Sequence, residues 1–108
     1  MSIDNLGLVL KATVLFQDFR TQCATTHALE REATIVAAAS RTVLDSTSPP
    51  KDHTFPRANP EHQLLRDVVS SALDHALGEA AAARSDRDAA RTRFLEFSEL
   101  HGVAPAIG

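Results

Sequence analysis

Four of the five prolines in this 108-residue chain fall between positions 49 and 60, and the fifth stands at 105. Proline has no amide hydrogen, clashes with the preceding helical turn and biases the residue before it away from helix, so a helix accepts it only in its first turn. Two stretches of about 40 residues are left in which a helix can run unbroken. Apolar spacing fills them. From about Asp4 to Ser46, Val9, Ala12, Phe16, Phe19 and Cys23 recur at steps of three or four, with Leu8 and Leu15 widening the same face. The pattern falters at Thr25, Thr26 and His27, then resumes at Leu29, Ala33, Val36, Ser40 and Val43. No Gly or Pro stands near Thr25 to stop a helix, so continuity is expected.

Asp45-Ser46-Thr47-Ser48-Pro49-Pro50 ends the first segment, and a proline-rich loop runs over about 47–59. Asn59-Pro60-Glu61 then combines an N-cap acceptor, a proline at the first helical position and an acid near the positive helix end. A second helix is expected over about 60–101, carrying Leu65, Val69, Ala72, Ala76, Ala80, Ala83, Ala90, Phe94, Phe97 and Leu100, with Leu73 and Leu77 broadening its first half. Gly102 and Pro105 close it, leaving a short tail. Around Ser85, alanine propensity and the Arg84–Asp88 spacing favour continuity over a new helix start.

The expected fold is all-α: one domain over 1–108, a long antiparallel helical hairpin. Two helices each about 60 Å long do not make a sphere, and each apolar face is wider than one neighbour covers. Burial of that surface, at roughly 25 cal/mol per Å², favours dimerisation into a four-helix bundle. The alternative breaks the helices near Thr25 and Ser85 and gives a monomeric bundle of roughly three or four shorter helices.

Charge narrows the function classes. The net charge is -3 and both halves mix signs; the nearest approach to a basic patch, Arg84, Arg87, Arg91 and Arg93, is interrupted by Asp86 and Asp88. A polyanion-tracking surface needs clustered Lys and Arg, so nucleic-acid binding is not expected. The single Cys23 excludes an intramolecular disulfide and a multi-cysteine zinc site. No basic leader and no apolar run of about 20 residues is present, so a cytoplasmic protein without a membrane span is expected. No Gly-rich phosphate loop, nucleophile elbow or dinucleotide fingerprint occurs, so neither a cofactor nor an enzymatic site is expected.

Several residues still invite chemistry. His27-Ala28-Leu29 resembles the His-x-Leu of histidine phosphotransfer domains and dimerising kinase hairpins, which implies His27 as phosphoacceptor. The resemblance covers three positions and departs over Glu30-Arg31-Glu32-Ala33, where those families place a basic residue and a Gly, or an Arg and a Pro. A metal-binding bundle would draw on pairs such as His75 and Glu79, one turn apart, although the Glu-x-x-His of di-iron bundles is missing. Cys23 has His27 one turn away but lies on the apolar stripe, where a small buried hydrophobe is expected. Two features suit protein recognition: the isolated ring of Phe55 in the polar loop, and Arg84, Arg87 and Arg91, which share a helix face. The function expected is a non-enzymatic interaction module, an adaptor, inhibitor or chaperone-like protein, with itself and another protein as partners.

Overall fold

The structure, a computed structural model, describes residues 3–47 and 60–106. Two helices account for nearly all of them: α1, Ile3–Thr47, and α2, Pro60–His101. No strand occurs among the described residues, and the pair forms an all-α helical hairpin. Both helices pass through the suspected break points at Thr25-Thr26 and Ser85, so the bundle of shorter helices is not adopted. Pro60 opens α2 with Glu61 in its first turn, where a carboxylate complements the positive helix end.

Contacts divide the chain into two compact units, one comprising Met1–Ala28 with Ala81–Gly108 and the other Leu29–Ala80. In the first unit the helices are antiparallel, because Phe16 meets Phe94 while Thr26 meets Ala83. Its fully enclosed positions are small: Ala12, Thr26, Ala83 and Ala90. Phe16 and Phe94 stack tilted with centroids 5.3 Å apart, and the Lys11 ammonium lies 5.2 Å from the centre of the Phe97 ring. These contacts place a cation over an aromatic face and add to the packing of three half-buried rings.

Thr26 corrects the sequence reading most sharply. Its residue is 1% exposed, and its hydroxyl lies 2.7 Å from the Gln22 carbonyl oxygen on its own helix and 3.1 Å from that of Ala83 on α2. A buried hydroxyl costs little when its hydrogen is shared between two acceptors, so the stripe continues through Thr26 instead of faltering there. The enclosed positions on α1 step by seven or fourteen, from Ala12 to Thr26 to Ala33, and on α2 Ala76, Ala83 and Ala90 also step by seven. Such spacing is the seam of a paired-helix geometry.

The end of α2 is tied down as a Schellman turn. Gly102 takes a φ of 60°, the left-handed region that only glycine enters without a Cβ penalty. The Val103 amide donates to the Ser98 carbonyl over 3.2 Å, and the Ser98 hydroxyl donates to the Val103 carbonyl. The tail then reaches α1, where the Ala106 amide donates to Thr13 Oγ1 over 2.9 Å.

In the second unit Ala33, Ala76 and Ala80 are buried, with Leu29, Val36, Leu44, Leu65, Val69 and Leu73 half-buried around them. Val43, Ala72, Leu77 and, in the first unit, Leu100 were expected on the inward faces but are exposed. The alanine seam fixes the rotation of α2, and Leu77 and Leu100 fall beside it rather than on it.

Candidate functional site

Many of the large aliphatic side chains of the described residues stand outside the core. Leu6, Leu10, Val14, Ile35, Val43, Leu64, Val68, Leu77, Leu95 and Leu100 are all at least 40% exposed, whereas every buried residue is Ala or Thr. A seam built from alanine lets two helices approach closely, so the larger groups pack half-buried along its edges or stand outside it.

On α1 the exposed groups are ordered. Leu6, Leu10 and Val14 follow at i, i+4 and i+8, exposed by 50, 59 and 62%. Each stands nine residues, two and a half helical turns, from an inward or half-buried residue: Leu15, Phe19 and Cys23. They therefore occupy the side of α1 turned away from α2. The same line continues through Gln17, Thr21, Ala24 and Ala28, all exposed, and no charged residue interrupts it. Gln17, Arg20, Thr21 and Ala24 line a shallow surface depression there. Its signal in the sequence is the four-residue step of Leu6, Leu10 and Val14, out of phase with the first stripe, beyond which the line carries no large apolar residue.

The residues singled out by sequence fall as follows. Phe55 lies outside the described residues. Arg84 and Arg91 are exposed on α2, whereas Arg87 is half-buried, its Nε 3.2 Å from a carboxylate oxygen of Asp88. His27 is exposed on α1, and Cys23, one turn earlier, is half-buried. His75 Nε2 lies 2.9 Å from Glu79 on a solvated face, and no group of three or more His, Cys, Asp or Glu side chains with metal-binding geometry occurs among the described residues. No buried side-chain nitrogen or oxygen among them lacks a hydrogen-bond partner.

The chain matches no family model, no curated protein and no solved structure. Surface chemistry is then the guide to function. The second unit has an open groove lined from α1 by Ala37, Ser40 and Leu44 and from α2 by Val69 and Leu73, with Arg41 and Arg66 also lining it. A small-molecule site encloses most of its ligand and converges a few polar groups on it; this groove is open, with its arginines in reach of solvent. No helix among the described residues is long and apolar enough to cross a membrane.

Proposed function

We propose that this protein is a non-enzymatic helical interaction module, an adaptor, inhibitor or chaperone-like protein of the cytoplasm that acts by covering a surface of another protein and that also self-associates. One observation carries the reading: the exposed large apolar groups, ten among the described residues, set against a core of alanine and threonine. Scattered exposed leucines are ordinary on a soluble surface. Three in register on one helix face, with no charge among them, are the kind of patch that binding covers.

Arg84 and Arg91 supply a second element, since exposed guanidinium groups pair with carboxylates in a bidentate geometry that suits protein interfaces. Arg87 and Phe55 complete the proposed contact set. The test is affinity capture from host extract with quantitative mass spectrometry, comparing the native chain with F55A and with the double variant R84E/R91E. A protein enriched by the native chain and depleted at least about tenfold by either variant is the expected result. Enrichment of nothing above a composition-matched helical control overturns the reading.

A further inference from the structure

Resting on that reading, and deepening its self-association, we infer that the outer face of α1 from Leu6 to Ala28 is the docking surface for a second copy of the chain, paired antiparallel to the first and centred on Gln17. The pattern along this face is large at one end and small at the other: Leu6, Leu10 and Val14 precede Gln17, and Thr21, Ala24 and Ala28 follow it. An antiparallel two-fold through Gln17 sets Leu6 opposite Ala28 and Leu10 opposite Ala24, and brings Val14 to Arg20 beside Thr21. Each leucine then meets an alanine. A parallel pair would instead stack leucine on leucine and leave a gap between facing alanines, and gaps forfeit contact.

The depression lined by Gln17, Arg20, Thr21 and Ala24 lies where Leu10 and Val14 of the second copy arrive, so knobs and holes occur on the same face in the order that a two-fold needs. Two Gln17 amides meet at the axis, each able to donate to and accept from the other.

Charge is compatible with this pairing. Arg20, which lines the depression, is the charge at the edge of the contact, and its guanidinium lies 6.0 Å from the Phe16 ring centre, while Lys11 over Phe97 and Asp18 with Arg93 at 3.4 Å are engaged within their own chain. Contact along six helical turns, ~34 Å of axis and ~10 Å wide, covers roughly 340 Å² on each copy and roughly 700 Å² over the two, the extent of a weak, reversible pairing.

Sedimentation equilibrium of the full chain and of L10E, with circular dichroism to confirm equal helicity, tests the face. Leu10 is 59% exposed, so the substitution leaves the seam untouched. A native dimer whose dissociation constant is weakened at least about thirtyfold in L10E supports the inference. A monomeric native chain, or a dimer that L10E leaves intact, overturns it. Register is tested by mixing L10C and A24C chains, each in a C23A background, under mild oxidation. Cross-linking of L10C to A24C is expected, and L10C linking only to itself overturns the antiparallel pairing. Failure of these experiments while the native chain still captures its partner protein sinks this inference alone; failure of both sinks the interaction reading as well.

Discussion

Stepping nine residues back from the seam of each helix reaches the side that faces away from its neighbour, and the two helices carry opposite chemistry there. On α1 the step leads from Leu15, Phe19, Thr26 and Ala33 to Leu6, Leu10, Gln17 and Ala24; on α2 it leads from Ala76, Ala80, Ala83 and Phe97 to Asp67, Ser71, Asp74 and Asp88. All eight outward residues are exposed. α2 thus has one face to bury and a solvated back, as an amphipathic helix on a protein surface does, whereas the first half of α1 is apolar on both sides. The difference teaches that the back of α2 is solvated, whereas the first half of α1 carries a second apolar face that the hairpin leaves exposed.

The strongest test of that division is a pair of identical substitutions on opposite sides of α2. Ala90 is 1% exposed and Ala81, nine residues earlier, is exposed. Replacing Ala90 by leucine forces three heavy atoms into a seam sized for a methyl group and is expected to destabilise the fold by about 2–3 kcal/mol in urea denaturation. Ala81→Leu is expected to stay within about 0.5 kcal/mol of the native chain. Equal effects at the two sites would mean that the alanine seam does not set the helix separation.

A smaller loss is expected at Thr26. Valine keeps the shape and β-branching but removes the hydroxyl that reaches Gln22 and Ala83. Both carbonyls lie inside helices and keep their helical bonds, so no acceptor is orphaned, and Thr26→Val should cost about 1 kcal/mol. Thr34 provides the outward control. Its hydroxyl bonds back to the Glu30 carbonyl over 3.0 Å on an exposed surface, and water replaces that bond at no appreciable cost in Thr34→Val. A thermal or urea midpoint unchanged by Thr26→Val would remove the hydroxyl from the list of contacts that join the helices.

Proline placement and apolar spacing made the helical hairpin legible before any coordinates, because both act through local backbone geometry. The alanine seam of α2 was legible too, since Ala76, Ala80, Ala83 and Ala90 all stand on the expected stripe and are buried; only its edges were not, for Ala72, Leu77 and Leu100 are exposed. Thr26 was read as an interruption because a sequence does not display which carbonyls will receive its hydroxyl. The outer face of α1 was hidden for a related reason: beyond Val14 it continues as Gln17, Thr21 and Ala24, which register as neither apolar nor charged. Arg84 and Arg91 are exposed and Arg87 is half-buried, a distinction that equal spacing on a wheel cannot make.

The smallest expected effect concerns the ion pair that links the two helices within the first unit. Arg93 and Asp18 approach to 3.4 Å, and their side chains remain 58 and 46% exposed. At that exposure the Coulomb attraction is screened by water and salt, and holding two side chains in one geometry costs rotamer entropy. The coupling measured by a double-mutant cycle of Asp18→Asn and Arg93→Gln should therefore lie below about 0.5 kcal/mol and fade as salt is raised. The pair nevertheless bears on the comparison, because Asp18 flanks the apolar back of α1. If Asp18→Asn leaves the stability unchanged but strengthens self-association, the carboxylate is acting on the second copy, and the charge at the rim of that face limits the affinity. If instead the coupling exceeds about 1 kcal/mol and association does not move, the pair belongs to the hairpin alone, and the back of α1 is governed by its apolar groups.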